Sequence, residues 1–212
     1  MTNPELNTQD ARIAIAQDIS IDVLIEKLVA GNIPVEAYGT GVAKTIPHLL
    51  TEIQDGESLV SIDASGNVYR EVHALWIDVV CELENGDVYA LKEDRQEFKD
   101  GRTKRRTLNS SLGEKLKPGE DPEKAVSRAI QEELGIEAEP RGLYYLGEER
   151  TLYTPDTYPG LETSYQFYKY VTMLDQSSFN PDGYIEYQAD KTNYYVWEQV
   201  RDGAAIQESG SL

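Results

Sequence analysis

The stretch SRAIQEELGI at residues 127–136 decides the fold class, because it combines a helical apolar pattern with two adjacent carboxylates. Asp121 and Pro122, just upstream, predict where this helix begins. Aspartate accepts hydrogen bonds from the free N–H groups of a first turn, and proline at the first helical position loses no bond. Gly135 predicts its end, since glycine readily adopts the left-handed conformation of a C-cap. The sequence therefore predicts one well-marked helix over 121–134.

The predicted helix has an apolar stripe and a charged flank. Arg128 and Glu132 are four residues apart and can pair across one turn. Glu132 and Glu133 are adjacent carboxylates that repel each other, so facing one pocket they require a cation between them. Mg²⁺ suits such a site, because it takes oxygen ligands and keeps waters and substrate phosphates in its shell. On its own the pair is equally compatible with a solvated helix face. The apolar stripe consists of Ala125, Val126, Ala129, Ile130 and Leu134.

The residues on both sides of this helix predict a sheet. Asn85-Gly86 is a strong β-hairpin signal between two apolar runs. Tyrosine and β-branched residues at high density favour strands. We therefore expect an α+β or mixed α/β fold, with a curved, antiparallel-rich sheet and the helix packed against it. The strand-like segments are 58–62, 67–70, 74–83, 88–91, 142–146, 165–173 and 194–197.

The N-terminal third of the chain has a pattern of its own. Two segments carry apolar residues at helical spacing, and such stripes must be buried against something. We expect a helical and hairpin extension ahead of one main domain, with flexible ends on both sides. The predicted helices are 18–29 and 46–53, and the predicted division is 1–18 flexible, 19–70 extension, 71–202 main domain and 203–212 flexible.

The composition limits the classes of partner. A formal charge of −18 repels nucleic acids and anionic membrane surfaces, so we expect neither. A phosphorylated small molecule remains compatible where cations are concentrated locally. The sequence contains no run of about 20 apolar residues and no secretory signal pattern. Cys81 is the single cysteine, which fits a reducing, cytoplasmic location. A homodimer is left open.

Residues 114–136 resemble the box of the Nudix hydrolases, G-x5-E-x7-R-E-U-x-E-E-x-G-U, where U is aliphatic. The resemblance extends over about 73–200. It implies the Nudix fold, a curved mixed sheet with the box helix packed on it. It also implies Mg²⁺- or Mn²⁺-dependent hydrolysis of a diphosphate linkage, in a nucleoside diphosphate linked to another moiety. Seven of the nine fixed positions match, namely Glu120, Arg128, Ile130, Glu132, Glu133, Gly135 and Ile136.

The sequence departs from the box at two positions. Glu114 stands where the leading glycine is expected, and Ala129 replaces the glutamate that follows the arginine. The family pattern implies that this glutamate shares the metal with the two later ones. The resemblance leaves Glu120, Glu132 and Glu133 as metal ligands, with Arg128 orienting Glu120. The general base is then open among Glu114, Glu148, Glu149 and Glu162. We therefore expect a hydrolase of reduced activity, and the alternative is a Nudix-fold protein that binds nucleotides without cleaving them.

Two further segments are candidates for binding the substrate. A basic cluster precedes the box and opposes the overall charge, so it could hold a diphosphate. The alternative is a solvated loop. The tyrosine-rich segment 153–170 has the character of a binding loop, and in it Tyr153 and Tyr158 are the candidates for contacting a base or a sugar. The basic cluster consists of Lys99, Arg102, Lys104, Arg105 and Arg106.

Overall fold

The computed structural model describes residues 12–105, 110–137 and 141–200. These residues combine ten strands with three α-helices, which confirms the predicted α+β class. No helix in the described ranges is both long enough and apolar enough to span a membrane. In chain order the elements are β1 (Ile13–Ala14), α1 (Ile21–Ala30), α2 (Ile46–Gln54), β2 (Leu59–Ile62), β3 (Val68–Glu82), β4 (Val88–Phe98), β5 (Thr103–Lys104), β6 (Leu112–Lys115), α3 (Pro122–Leu134), β7 (Gly142–Tyr153), β8 (Glu162–Leu174), β9 (Tyr184–Tyr187) and β10 (Lys191–Gln199).

The described residues fall into two compact units. The first contains 12–73 and Arg150–Gln166, and the second contains Ala74–Glu149 and 167–200 within the described ranges. This division places Arg150–Gln166 with the N-terminal residues, whereas the sequence analysis kept them in a main domain at 71–202. The predicted domain boundaries stay a prediction. Of the ends predicted to be flexible, 1–11 and 203–212 lie outside the described residues, and Ile13–Ala14 pairs with β2.

The first unit is built on the two predicted helices and a hairpin. Ser20 and Thr45 cap α1 and α2 by accepting hydrogen bonds from backbone N–H groups of the first turn. Strands β2 and β3 pair antiparallel over 59–62 and 68–71, as the sequence predicts. The apolar stripes of both helices are buried in one core with the hairpin, including Leu24, Leu28, Leu49, Ile53 and Val60.

A buried ion pair lies in the first unit. Arg70 is 3% exposed and donates to Glu52 Oε2 at 2.6 Å and to Ser58 Oγ at 2.9 Å. Its guanidinium carbon lies 4.6 Å from the ring centre of Tyr158. Tyr158 is itself only 1% exposed and belongs to the core of this unit. The structure thus gives Tyr158 a packing role beneath Arg70 and not a surface position where a substrate would contact it.

The second unit contains the strands around the box helix. Residues 74–77 of β3 pair antiparallel with β6, and residues 80–82 pair antiparallel with β4. Strand β10 lies between β4 and β9 and is antiparallel to both. This arrangement brings β6, β9 and β10, which carry cavity residues described below, into one unit with α3.

Helix α3 follows the sequence prediction closely. Asp121 accepts from the N–H of Glu123 at 2.9 Å, and Gly135 ends the helix with a positive φ of 68°. The predicted apolar stripe is buried in one core with side chains of β3, β4, β8 and β10. Ala129 has no exposed surface, as expected for a residue on the buried side of the box helix.

We predict that this packing supplies much of the stability of the second unit. Ile130→Ala deletes a side chain that is 1% exposed, and large-to-small changes of this kind lower the free energy of unfolding by about 2–5 kcal/mol. Gln131→Ala, at the next and exposed position, is the control and should change it by less than about 0.5 kcal/mol. Urea unfolding measures both. Equal effects at the two positions would contradict the packing of α3 described here.

Candidate active site

Arg128 is the cation that ties α3 to the residues before it. Its Nε and Nη2 donate to the two oxygens of Glu120 at 2.8 and 3.0 Å, which makes a bidentate ion pair. Its Nη1 donates to Glu132 at 2.8 Å and to Glu114 at 3.2 Å. The backbone carbonyl of Lys115 accepts from Nη2 at 3.0 Å. The predicted pairs of Arg128 with Glu120 and with Glu132 are both present.

Glu120 is committed to this ion pair. Hydrogen bonding by Arg128 is the largest influence on its carboxyl group and lowers the pKa, and the backbone N–H of Lys117 also donates to it at 2.9 Å. The family resemblance placed Glu120 among the metal ligands with Glu132 and Glu133. Across 12–105, 110–137 and 141–200, no three or more His, Cys, Asp or Glu side chains are grouped so that they could hold a metal ion. In the structure Glu120 binds Arg128, and its role as a metal ligand stays a prediction.

An acidic cavity lies beside the C-terminal half of α3. Its volume is about 110 Å³, so it has room for a hydrated cation but not for a nucleotide, which needs several times that volume. Its lining includes five carboxylates from four elements: Glu93 on β4, Glu114 on β6, Glu132 and Glu133 on α3, and Glu186 on β9.

Glu133 points its carboxyl group into this cavity. The hydroxyl of Tyr195, on β10, donates to Glu133 Oε2 at 2.5 Å. Burial raises the pKa of Glu133 to about 8; the Tyr195 bond opposes this rise, while the negative charges of Glu186, Glu114 and Glu93 add to it. Glu133 is therefore a carboxyl group whose ionised form needs positive charge nearby.

The hairpin of β9 and β10 forms the side of the cavity that the box does not supply. Asn193 is 3% exposed, and its Nδ2 donates to Glu186 Oε2 at 2.6 Å. Because a carboxylate can only accept, this bond fixes which end of the amide is nitrogen. The other end, Oδ1, is buried without a hydrogen-bond partner among the described residues. Lys191 and Gln188 also line this side.

Sequence reasoning did not identify the cavity residues Glu186, Asn193 and Lys191. One signal was present: Asn193 and Tyr195 are two residues apart in a strand, so they share one face of the sheet. Glu186 is the cross-strand partner of Asn193. That register depends on where the β9–β10 hairpin turns, and no glycine or Asn-Gly pair marks the turn at 188–190.

The structure shows what the alanine at 129 does to the box. Its side chain is fully buried in the core between α3 and the strands, one turn before Glu133. A glutamate at this position would place a third carboxylate near two that already repel each other. With alanine, the helix contributes only Glu132 and Glu133 to the cavity.

Two members of the predicted basic cluster are paired with nearby acids. Arg102 donates to Asp100 at 2.7 Å, and Arg105 forms an ion pair with Asp94. Of the remaining predicted cations, Lys104 lies on β5, Lys99 follows β4, and Arg106 lies outside the described residues. The described members of the cluster do not line the acidic cavity. Their contact with substrate stays a prediction.

Two other groups of predicted residues lie outside the cavity lining. Glu148 accepts from the hydroxyl of Tyr145 at 3.0 Å, and Glu149 pairs with Lys169 at 2.5 Å. In the first unit, Tyr153 is 48% exposed and stacks on Tyr165 with ring centres 5.0 Å apart. An exposed, stacked tyrosine remains a candidate for contacting a base, and this role stays a prediction.

The side-chain chemistry of the cavity fits a hard divalent cation. The carboxylates and the amide carbonyl are all oxygen donors, the type that Mg²⁺ and Mn²⁺ prefer. Asn193 Oδ1 is a buried acceptor without a partner among the described residues, and such a group is stabilised by a donor or a cation. Glu133, Glu186 and Asn193 are the residues that would hold the ion, and the predicted part of Glu132 in binding it stays a prediction.

Comparison with known proteins agrees with this chemistry. The family model "NUDIX domain" matches residues 75–200, which is more than half of the 212 residues, and the chain therefore belongs to the Nudix family. Proteins of this family generally use divalent metal ions. No curated protein matches the sequence.

The solved structures that are similar to this chain include two of an Ap4A hydrolase. One is an Ap4A hydrolase from C. elegans with 19% sequence identity, which covers 60% of this chain and 79% of that chain with a TM-score of 0.33. The other is a binary complex of a C. elegans Ap4A hydrolase, with the same identity and coverage and a TM-score of 0.35. Scores this low decide nothing about activity or substrate.

We predict that replacing Arg128 lowers the free energy of unfolding even when the positive charge is kept. Arg128→Lys keeps the charge but loses the planar fork that binds Glu120 twice, and this partly buried contact is worth about 1–3 kcal/mol. Arg102→Lys is the matched control, because its pair with Asp100 is exposed and worth under about 1 kcal/mol. Urea unfolding should give a lower midpoint for Arg128→Lys than for Arg102→Lys. Indistinguishable midpoints would contradict the proposed importance of the bidentate pair between Arg128 and Glu120.

We also predict a pH dependence of stability that belongs to Glu133. Its folded-state pKa of about 8 is above the usual value of about 4.3, so the folded chain holds the extra proton between these limits. In EDTA, its contribution to the free energy of unfolding should therefore fall as pH rises from about 5 to 8. The slope can reach about 1.4 kcal/mol per pH unit for one proton. Glu133→Gln should lose this component, and parallel curves for both proteins would exclude it.

Proposed function

We propose that this chain is a Nudix-type hydrolase that cleaves a diphosphate linkage in a nucleoside diphosphate linked to another moiety, with Mg²⁺ or Mn²⁺. The observation that carries the proposal is the acidic cavity that Glu133 lines together with other oxygen donors, in the segment that matches the family. The proposal includes reduced activity, because Ala129 leaves the box helix with fewer carboxylates than the family pattern. A cytoplasmic location fits the same proposal.

Hydrolysis of a diphosphate needs charge neutralisation, a positioned water and a proton acceptor. A bound divalent ion supplies the neutralisation and polarises the water. Glu114, which lines the cavity, is the candidate for accepting the proton of the water, and Glu133 would hold the ion with its carboxylate. Tyr195 holds one carboxylate oxygen, Oε2, and thereby fixes the direction of the other.

Two cations of the chain have different tasks in this proposal. Lys191 lines the cavity and is placed to contact a phosphate oxygen of the substrate. Arg128 binds Glu120, Glu114 and Glu132, and so positions the carboxylates without contacting substrate. Since the cavity is too small for a nucleoside, that part of the substrate lies outside it. The basic cluster, whose described members belong to the same unit as the cavity, is the candidate for binding it.

A second function is supported by a specific observation. The described residues contain no group of three or more acidic, histidine or cysteine side chains that could hold a metal ion, and Ala129 removes one box carboxylate. A Nudix-fold protein that binds nucleotides without cleaving them is compatible with both facts. The two functions differ in turnover, which can be measured directly.

The test is a panel of dinucleotides, nucleotide sugars and nucleoside triphosphates with Mg²⁺ or Mn²⁺, with release of mononucleotide or phosphate as the readout. We expect slow cleavage of at least one dinucleotide or nucleotide sugar, and its loss in EDTA. Glu133→Gln should lower the rate by about 10–100-fold or more, because it removes a carboxylate that would hold the ion. Glu123→Gln, on the exposed first turn of α3, is the matched control and should keep the rate.

The outcomes separate the two functions. Turnover that survives in Glu133→Gln would remove this residue from the mechanism. Binding of a nucleotide by calorimetry, with no turnover of any compound in the panel, would exclude the hydrolase and favour the binding protein.

A further inference from the structure

Ala129 removes a carboxylate from the box, yet the cavity is still strongly acidic. Besides the two glutamates of α3, its lining has Glu186 from β9, a residue outside the box. Glu186 lies directly across the hairpin from Asn193 on β10. The question is whether this hairpin only closes the cavity or takes part in its chemistry.

Glu186 is held in one orientation by two amides. Asn193 Nδ2 donates to its Oε2 at 2.6 Å, and Gln188 Nε2 donates to its Oε1 at 2.7 Å. A carboxylate has about four lone-pair positions, so each oxygen keeps acceptor capacity after these bonds. Fixing a carboxylate through neighbouring hydrogen bonds is what outer residues of metal sites commonly do for a ligand.

Asn193 provides an independent sign that the cavity binds a ligand. Asn193 is only 3% exposed, and a buried amide carbonyl is rarely left without a hydrogen-bond partner. Its Oδ1 lacks one among the described residues, although its Nδ2 is bonded to Glu186. The residue lines the cavity, so a cation there would satisfy this oxygen.

The charges around Glu133 agree with this reading. Glu186 lines the same small cavity as Glu133, together with Glu114 and Glu93. Two carboxylates that interact this way through a small cavity destabilise the folded chain unless positive charge lies between them. Lys191 also lines this cavity, from the same hairpin as Glu186.

We propose that Glu186 and the side-chain carbonyl of Asn193 are cation ligands, which take over from strands β9 and β10 the place that Ala129 leaves open on the helix. The set is then Glu133 from the box, Glu186 and Asn193. It contains two acidic side chains and one amide, in agreement with the absence of a three-acid group from the described residues. This inference rests on the proposed function, since it assigns further ligands to the same cation.

The experiment measures binding of Mn²⁺ alone, by calorimetry, to the full chain. Glu186→Gln keeps the size of the side chain but removes its charge and replaces one acceptor oxygen by a donor NH2, and we expect Mn²⁺ binding to weaken about tenfold or more. Glu198→Gln, an exposed residue of β10 outside the cavity lining, makes the same change of charge and should bind as the native chain does. Asn193→Ala is a second variant that removes the carbonyl donor and should also weaken binding.

Thermal unfolding distinguishes a ligand from a structural residue. In EDTA, Glu186→Gln should unfold at the native temperature or above it, because it removes one of several repelling carboxylates. Added Mn²⁺ should raise the unfolding temperature of the native chain and of Glu198→Gln more than that of Glu186→Gln. A lower unfolding temperature in EDTA, with the full Mn²⁺ shift retained, would show that Glu186 is structural and overturn the inference.

Glu133→Gln separates this inference from the proposed function. If Glu133→Gln loses Mn²⁺ binding while Glu186→Gln and Glu198→Gln bind alike, the hairpin ligands are excluded and the box site stands. If the native chain itself binds no Mn²⁺, the cation site fails together with the inference. Should Asn193→Ala not fold, as judged by circular dichroism, Glu186→Gln against Glu198→Gln still decides.

Discussion

The distribution of one guanidinium among three carboxylates is the interaction on which the rest of the site depends. In a chain of net charge −18, the acidic side chains near the box helix would repel each other without it. Arg128 binds Glu120 through two hydrogen bonds and reaches Glu114 and Glu132 with the third nitrogen. It thereby fixes the turn before α3 to the helix. Glu133, the one box carboxylate that Arg128 does not contact in this way, is left facing the cavity.

These contacts of Arg128 explain why the adjacent residues Glu132 and Glu133 have different surroundings. Glu132 lies on the exposed side of α3 and shares the charge of Arg128, whereas Glu133 is turned inward onto Tyr195. Burial raises the pKa of Glu133, and neighbouring carboxylates raise it further. Adjacent residues on a helix point about 100° apart, so one position separates a solvated ion pair from a buried carboxyl group. The cation binding that we propose belongs to Glu133.

The sequence was sufficient for the parts whose signals are local. The caps Asp121 and Gly135 place α3 within one residue of its predicted bounds, because capping depends on side chains within a single turn. The pairs of Arg128 also follow from helical spacing and the box pattern. The opposite side of the cavity could not be predicted, because it depends on the pairing of Asn193 with Glu186 across a hairpin. Strand register depends on turn geometry and on which face is buried, and neither is marked at 188–190.

Tyr158 is a second case in which a long-range contact could not be predicted from the sequence. Its place in a Pro- and Gly-rich segment suggested a loop that presents aromatic rings, yet its ring is buried beside Arg70, whose charge is satisfied by Glu52. A buried guanidinium is stabilised by an aromatic face that excludes water, and Tyr158 supplies such a face to Arg70. The sequence shows a tyrosine in a loop-like segment but not the buried charge beside it. Contacts between residues far apart in the sequence, such as that of Tyr158 with Arg70, decide whether a tyrosine of this chain is buried or exposed to a ligand.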